Sequence, residues 1–284
     1  YMDAANEVLK DALFGMFCIP GIAELKNIET AADHNMGFIR IGTNVTEVQN
    51  SEEYIKLAKD YGMFVCANFM KSYTLPPEKF VEKVKLSEKY GADMIYLVDS
   101  AGGMFPNEIK NYYNQIRKHS DIVLGFHGHN NLGIAIANSL FCVDLGFEFI
   151  DTSLQGIGRS SGNASTELIT AALIKRNFNI DLDLLKLLEI GHKFIQPLLK
   201  NQGCMPLDVI AGFCDFHSSY MHHIQKFSTK YKVNPAILII EWSKIDKINV
   251  DDDKLEEVAK KIKKEEHIYL SKYKFNNYIG YEQD

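Results

Sequence analysis

The chain has 284 residues, of which 46% are hydrophobic and 24% are charged, and its formal net charge is −6. This composition is typical of a globular protein with one large or two ordinary domains. The mild negative charge argues against a general nucleic-acid-binding protein, and no apolar run approaches the roughly 20 residues of a membrane span. The five cysteines form no Cys-x-x-Cys motif, so we predict reduced, mostly buried cysteines and a cytoplasmic protein.

From the N-terminus, six similar units follow one another, each an apolar, β-rich run followed by a turn and an amphipathic helix. The predicted strands are residues 13–19, 38–43, 64–70, 94–98, 122–127 and 147–153, and the helices 23–35, 51–61, 77–90, 106–119, 133–145 and 164–176. Glycines 62, 91 and 146 mark helix ends, and prolines 77 and 106 mark helix starts. Strands that alternate with helices predict right-handed βαβ units, and their apolar character indicates a parallel sheet that is buried on both faces.

Two parallel architectures compete, an open doubly wound sheet and a closed barrel. The doubly wound sheet would usually carry a glycine-rich phosphate loop after an early strand, and this sequence has none. In a barrel, the chemistry gathers at the C-terminal ends of the strands, where the polar residues of this chain lie. We therefore predict an α/β fold, a (β/α)8 TIM barrel whose last six units, three to eight, are residues 1–178. Two further units, roughly 60 residues, would precede Tyr1.

After residue 178 the alternation of strands and helices stops. Helical patterns dominate instead, over residues 182–199, 207–231, 235–245 and 252–264. They predict a helical C-terminal extension, residues 179–284. The segment 265–284 has no clear period, and its role stays unassigned.

The sharpest motif is His127-Gly128-His129, where a predicted strand ends and a helix begins. Side chains two positions apart in a strand point to the same face, so the two imidazoles can bind one metal ion side by side. Neutral histidine is a common ligand for divalent cations. The alternative is a pair of exposed loop histidines, but the position at the C-terminal end of a barrel strand favours a metal site.

Two neighbouring loops carry further candidates. Asp99 could orient a metal-bound histidine and Ser100 could donate a hydrogen bond to a substrate carboxylate, although both residue types also cap helices. In the loop 156–164, Asn163 could add an oxygen ligand or cap the next helix, and Arg159 could meet an anionic substrate group at the rim of the site or lie in solvent. The Gly-x-Gly of this loop lacks the Gly-Lys-Ser/Thr of a nucleotide site.

The residues from His127 to Ser139, followed by Gly156-Ile157-Gly158 and Gly162-Asn163-Ala164, resemble the superfamily of metal-dependent pyruvate aldolases, hydroxymethylglutaryl-CoA lyases and isopropylmalate synthases. Three softer stretches are most similar to the 4-hydroxy-2-oxovalerate aldolases within it. They are residues 19–22, 40–47 and 96–103, and the resemblance as a whole covers about residues 5–245.

The resemblance implies that His127 and His129 hold Mn²⁺, or Mg²⁺ or Co²⁺ in its place. It also implies a third ligand, an aspartate in an Arg-Asp-Gly stretch on the first strand, with the arginine beside it steadying an enolate and a histidine just beyond acting as the base. No Arg-Asp-Gly occurs in this sequence. His217 stands where the aldolases tend to place an active-site tyrosine, and we predict it as a second catalytic candidate beside Ser100. The cluster of His217, His222 and His223 is a weaker metal candidate, because these positions share no face of one helix.

The resemblance therefore predicts a class II, metal-dependent carbon–carbon lyase that cleaves a 4-hydroxy-2-oxo acid to pyruvate and an aldehyde, or runs the reverse reaction. Two alternatives stay open, a Claisen-type acyl-CoA synthase or lyase and a non-catalytic barrel that acts as a scaffold. Aldolases of this kind often pair with an aldehyde dehydrogenase, so the resemblance leaves room for such a partner and for a homo-oligomer. It implies neither a nucleic acid nor a membrane as a partner.

Overall fold

Within the described residues, the strands form one six-stranded sheet in which chain order and spatial order coincide. The computed structural model describes residues 2–199, 205–264 and 275. The strands are β1 (Gly15–Cys18), β2 (Phe38–Asn44), β3 (Phe64–Met70), β4 (Met94–Asp99), β5 (Val123–Gly128) and β6 (Phe149–Ile150). The pairs β1·β2, β2·β3 and β3·β4 are parallel, with Gly15 opposite Phe38 and Phe38 opposite Phe64. The prediction of a parallel α/β sheet is confirmed.

A helix separates each strand from the next, as the sequence predicts. The helices of the described chain are α1 (Met2–Val8), α2 (Leu25–Asp33), α3 (Glu52–Asp60), α4 (Pro77–Tyr90), α5 (Pro106–Arg117), α6 (Ala135–Leu145), α7 (Thr166–Lys175), α8 (Leu184–Ile190), α9 (Pro206–Cys214), α10 (Met221–Tyr231), α11 (Pro235–Ser243) and α12 (Asp252–Lys261). Glycine 91, at φ +108°, ends α4 in the left-handed conformation that a side chain disfavours. Every residue of β4 is buried, in keeping with its apolar run from Met94 to Val98.

The prediction of one continuous helical stretch over residues 207–231 is wrong. Helix α9 ends at Cys214, and Asp215 adopts the left-handed conformation with φ of 54°. Helix α10 begins only at Met221, after a 3₁₀ turn that starts at Ser218. His217 therefore lies in the connection between two helices, whereas His222 and His223 belong to the first turn of α10.

Two compact units share the described chain, and they alternate along the sequence. Unit 1 contains the described residues up to Val98, together with Asn107–Phe126 and Leu145–Phe149. Unit 2 contains Asp99–Pro106, His127–Asp144 and the described residues from Ile150 onward. The predicted division of the chain at residue 178 stays a prediction.

Each unit has its own apolar interior. In unit 1, Phe69, Phe80 and Tyr112 stack edge to face with ring centroids 5.1–5.3 Å apart. In unit 2, the helices α9 to α12 bury a cluster that includes Trp242 and Phe275. Cysteines 18, 66, 142 and 214 are free and buried as predicted, whereas Cys204 lies outside the described residues. Among the described helices, none has the length and apolar character needed to cross a membrane.

Candidate metal site

The end of β5 brings the two predicted histidines together in unit 2. The Nε2 atoms of His127 and His129 lie 3.4 Å apart, with the rings edge to face at an interplanar angle of 78°. Two nitrogen ligands on one tetrahedral ion, each at about 2.0–2.1 Å, would be separated by about 3.4 Å. The spacing of the pair therefore fits one shared cation.

His127 is oriented by Asp151, a residue that the sequence analysis missed. The Nδ1–H of His127 donates to Oδ2 of Asp151 at 2.9 Å, which leaves the lone pair on Nε2. A carboxylate behind a ligand histidine fixes its tautomer and raises its basicity. Asp151 directly follows β6, a strand of two residues. Its signal in the sequence is an acidic residue inside the predicted strand 147–153.

His129 is kept neutral by its surroundings. The side chain is buried, with 7% of the residue exposed. Burial lowers the pKa of His129 well below its ordinary value, and the proximity of His127 and the charge of Arg159 lower it further. A neutral imidazole keeps the lone pair that a metal ion needs, so the environment of His129 favours ligation over protonation.

Asn163 presents a buried oxygen next to His129. The two residues pair in an isolated antiparallel bridge. The Nδ2 of Asn163 donates to the carbonyl of Ile157 at 3.1 Å, which fixes the orientation of the amide, and its Oδ1 is buried without a hydrogen-bond partner among the described residues. A Cβ on Gly158 would lie 2.5 Å from this Nδ2, so the glycine makes room for the amide. A buried oxygen without a donor fits a cation ligand.

The loop after β4 packs against the backbone of the histidine motif. A Cβ on Gly102 would lie 2.6 Å from the backbone nitrogen of Asn131, so the close approach requires glycine there. The carboxylate of Asp99 accepts hydrogen bonds from the backbone N–H groups of Gly103 and Met104 at 3.1 and 3.0 Å. Its link to the motif runs through its carbonyl, which accepts from the N–H of His129 at 3.2 Å.

Asp99 and Ser100 are both buried in this loop, with 1% and 6% exposed. Burial raises the pKa of Asp99 to about 7, against the opposing effect of the backbone hydrogen bonds. The predicted role of Asp99 in orienting a histidine side chain and that of Ser100 in binding a carboxylate stay predictions.

A buried polar network ties the histidine motif to the Gly-x-Gly loop and to α9. The Nδ2 of Asn131 donates to the Oγ of Ser160 at 2.8 Å and to the carbonyl of Asp208 at 3.0 Å. The Oγ of Ser160 in turn donates to Oδ1 of Asp208 at 2.7 Å. Three segments that are distant in sequence therefore hold one another rigidly beside the site.

Arg159 and His217 lie in contact in unit 2. The Nη2 of Arg159 lies 3.1 Å from the Nε2 of His217. The Nδ1 of His217 accepts from the backbone N–H of Ser219 at 3.2 Å and lies 2.6 Å from the Oγ of the same residue. His222 and His223, by contrast, stack with ring centroids 3.9 Å apart. The Nδ1 atoms of these two rings have different partners, since Nδ1 of His222 donates to a backbone carbonyl and Nδ1 of His223 donates to Asp252.

The part of the chain that the structure describes contains no group of three His, Cys, Asp or Glu side chains that could hold a metal ion. The candidate metal ligands are the imidazoles of His127 and His129 and the amide oxygen of Asn163. Nitrogen and neutral oxygen donors with a carboxylate behind one histidine suit a divalent ion of intermediate hardness. The residues present fit such an ion, with further positions left for substrate or water.

The comparison with protein families decides the family. The model of the HMGL-like family matches residues 6–193. The chain belongs to the HMGL-like family. It is 32% identical to the 4-hydroxy-2-oxovalerate aldolase of Carboxydothermus hydrogenoformans over an alignment of 265 residues. This alignment covers 93% of this chain and 79% of the relative. The chain is 34% identical over 260 residues to that of Pelotomaculum thermopropionicum, covering 91% and 76%.

These relatives confirm the predicted family and the enzyme class. The chain is a carbon–carbon lyase of the aldolase type within a metal-dependent family. The aldolase relatives do not favour the alternative of a Claisen-type acyl-CoA enzyme or that of a non-catalytic barrel.

Solved structures support the fold alone. The N-terminal domain of a candidate aldolase from Bacteroides vulgatus superposes with a TM-score of 0.66 at 24% identity, covering 86% of this chain and 77% of that one. The carboxyl transferase domain of Rhizobium etli pyruvate carboxylase superposes with a TM-score of 0.73 at 15% identity, covering 91% and 48%. The α/β fold is therefore shared with these proteins.

Proposed function

We propose that the chain is a divalent-metal-dependent aldolase that cleaves a 4-hydroxy-2-oxo acid to pyruvate and an aldehyde, and that also runs the reverse reaction. The facing Nε2 atoms of His127 and His129 carry this proposal. The names of the aldolase relatives supply the substrate class. In cleavage the C3–C4 bond breaks, the C4 hydroxyl gives up its proton as the aldehyde forms, and C3 of pyruvate takes a proton.

His127, His129 and the Oδ1 of Asn163 would hold the ion, for which we propose Mn²⁺, with Mg²⁺ and Co²⁺ as alternatives. When bound, the ion supplies Lewis-acid stabilisation of negative charge on the keto oxygen of pyruvate. Asp151 keeps the proton of His127 on Nδ1, so that Nε2 faces the site as a lone pair. The burial of His129 holds its imidazole neutral for the same purpose.

Ser100 is the proposed donor to the pyruvate carboxylate, because its buried hydroxyl belongs to the loop whose backbone contacts His129. His217 is the second proposed catalytic candidate, since its imidazole is buried and lies 3.1 Å from the guanidinium of Arg159. A base that moves the methyl proton of pyruvate must have a free lone pair within hydrogen-bond reach of that carbon.

We further propose that the six strands belong to a closed barrel. Their chain-order arrangement supports this, because a doubly wound sheet reverses its order at a switch point. The HxH motif then lies at the carboxyl end of a barrel strand, where barrel enzymes place their chemistry. The buried free cysteines support a cytoplasmic location.

The test is the exchange of the methyl hydrogens of pyruvate with D₂O, followed by NMR on the full-length protein with and without Mn²⁺. We expect exchange only with the ion present, and its loss in His127→Ala. His119→Ala, which replaces an exposed histidine at the end of α5, is the matched control. Exchange that is equal without the ion, or unaltered in His127→Ala, would contradict the proposal.

A further inference from the structure

Two separate segments of unit 2 supply the proposed ion ligands. His129 belongs to the motif at the end of β5, and Asn163 belongs to the loop that follows β6. Their backbones join at the antiparallel bridge between these two residues, beside which the N–H of Asn130 donates to the carbonyl of Gly162 at 2.9 Å. Ion ligands need a fixed geometry, and a second contact away from the bridge is needed to fix the angle between the segments.

The hydroxyl of Ser160 provides that second contact. The Nδ2 of Asn131 donates to the Oγ of Ser160 at 2.8 Å, and this Oγ donates to Oδ1 of Asp208 at 2.7 Å. The same Nδ2 donates to the carbonyl of Asp208 at 3.0 Å, so the three residues form a closed network. Ser160 has a φ of 57°, a left-handed conformation that is unfavourable for residues other than glycine and that persists only where its surroundings determine it.

Helix α9 carries Asp208 on the face that contacts the histidine motif. The residues of another face of α9 lie in the apolar cluster of unit 2, namely Leu207, Ala211 and Cys214. Asp208 and Gly212 are four positions apart, so they share one face of the helix. A Cβ on Gly212 would lie 2.9 Å from the Cβ of Asn131, which shows that the backbone of α9 approaches the motif closely. The apolar cluster therefore anchors the helix that presents Asp208.

The carboxylate of Asp208 also determines the direction of the bonds in this network. Asp208 is buried, with 3% of the residue exposed. A carboxylate accepts hydrogen bonds and donates none, so the Oγ–H of Ser160 points to Asp208 and a lone pair of Oγ faces the Nδ2 of Asn131. Asp208 therefore specifies how the loop and the motif meet.

We propose that Asp208 and Ser160 are positioning residues, which hold the loop of one ion ligand against the motif of the others and thereby set the affinity for the ion. Ser160 lies three positions before Asn163. Its partner in the motif, Asn131, lies two positions after His129. This inference rests on the proposed function, because it needs an ion at these ligands.

The first experiment measures the dissociation constant of Mn²⁺ by calorimetric titration of the full-length protein. Asp208→Ala removes the acceptor of the Ser160 hydroxyl, and we expect the dissociation constant to rise about tenfold, as for the outer partners of metal ligands. Asp208→Asn, whose amide oxygen can accept the same bond, should restore most of the affinity. Equal affinities in Asp208→Ala and the wild type, or equal losses in Asp208→Asn and Asp208→Ala, would overturn the inference.

The second experiment approaches the same network from Ser160. Ser160→Ala and Ser160→Gly both remove the hydroxyl, so both should weaken Mn²⁺ binding, although glycine suits the φ of 57° and should give the higher Tm. The double variant with Asp208→Ala and Ser160→Ala should bind Mn²⁺ as Ser160→Ala does, because the second change removes a bond already lost. Losses that multiply in the double variant would show that the two residues act separately and would overturn the inference.

Asp251→Ala is the control for a general loss of stability. Asp251 caps α12 in the same unit, where its carboxylate accepts from the N–H of Lys254 at 2.9 Å. Loss of such a cap destabilises a protein, so Asp251→Ala should lower the Tm without weakening Mn²⁺ binding. If Asp251→Ala weakened Mn²⁺ binding as much as Asp208→Ala, the effect would be one of stability alone and the inference would fail.

Titration of the wild-type protein and of His129→Ala separates this inference from the proposed function. If the wild type binds Mn²⁺, His129→Ala does not, and Asp208→Ala keeps full affinity, the inference is overturned and the aldolase proposal stands. A wild-type protein that binds no Mn²⁺ would overturn both.

Discussion

Two histidine pairs in unit 2 differ in the one property that metal binding needs. In His127 and His129 the rings are edge to face, and two Nε2 atoms face each other at 3.4 Å. In His222 and His223 the rings are closer, with centroids 3.9 Å apart, but their Nδ1 atoms are directed to separate partners. Proximity of imidazoles is therefore a poor indicator of a metal site. Facing ring nitrogens, with a carboxylate behind one of the rings as Asp151 stands behind His127, are the better one.

The largest expected difference between the pairs is in catalysis. His129→Ala removes a proposed ligand, so we expect Mn²⁺-dependent exchange of pyruvate hydrogens to fall at least about 1,000-fold, since a Lewis-acid ion contributes several kcal/mol. His222→Ala should stay within about twofold of the wild type, as surface substitutions usually do. NMR exchange rates at saturating Mn²⁺ measure both. Similar losses in the two variants would remove the distinction between the pairs.

The carboxylate partners sharpen the comparison. Asp151→Asn leaves a neutral acceptor behind His127 and should weaken Mn²⁺ binding about 10- to 100-fold. Asp252→Asn makes the corresponding change behind His223 and should leave the affinity unaltered. Calorimetric titration with MnCl₂ gives both dissociation constants. Equal affinities in Asp151→Asn and the wild type would show that Asp151 does not tune the site.

A substitution at Gly158 can displace the proposed amide ligand, Asn163, without mutating Asn163 itself. In Gly158→Ala the new Cβ would meet the Nδ2 of Asn163 at 2.5 Å, so we expect Mn²⁺ affinity to fall by about tenfold or less, with a stability loss of about 1–3 kcal/mol. Gly62→Ala is the control, because its Cβ meets nothing within 4 Å but its φ of 73° is unfavourable. It should cost stability without weakening Mn²⁺ binding. Full Mn²⁺ affinity in Gly158→Ala would argue against Asn163 as a ligand.

The smallest expected effect is on the free energy of unfolding, for a substitution in the His222–His223 pair. His223→Ala removes one contact to Asp252, but Lys226 still pairs with that carboxylate at 2.6 Å. Partly exposed ion pairs contribute little, so the free energy of unfolding should fall by less than about 1 kcal/mol. Urea denaturation measures this change. A loss of more than about 2 kcal/mol would indicate that the stacked pair is structurally important.

The sequence predicted best those strands and helices whose start and end are both marked by nearby residues. Strand β3, Phe64–Met70, and helix α4, Pro77–Tyr90, have the predicted bounds. An apolar run defines the strand, and a proline at the start and a glycine after the end define the helix, so neither depends on contacts with distant residues. The His-x-His spacing is equally local, since a strand places alternate side chains on one face. The facing of His127 and His129 was therefore predictable.

The partners of these residues were not predictable, because they arise from tertiary packing. Asp151 meets His127 across 24 positions of sequence. It lies inside the predicted strand 147–153, of which the structure forms only Phe149–Ile150 as β6. The contact between Arg159 and His217 joins residues 58 positions apart. The break between α9 and α10 depends on Asp215 in a left-handed conformation, which helical periodicity does not reveal.

The most direct test of the central claim is the number of imidazole nitrogens coupled to Mn²⁺ bound to the full-length protein, measured by pulsed electron paramagnetic resonance. The account predicts one ion per chain with coupling from two imidazoles, reduced to one in His127→Ala and absent when His129 is replaced as well. Mn²⁺ that binds with the same stoichiometry and the same nitrogen coupling in the double variant would contradict it.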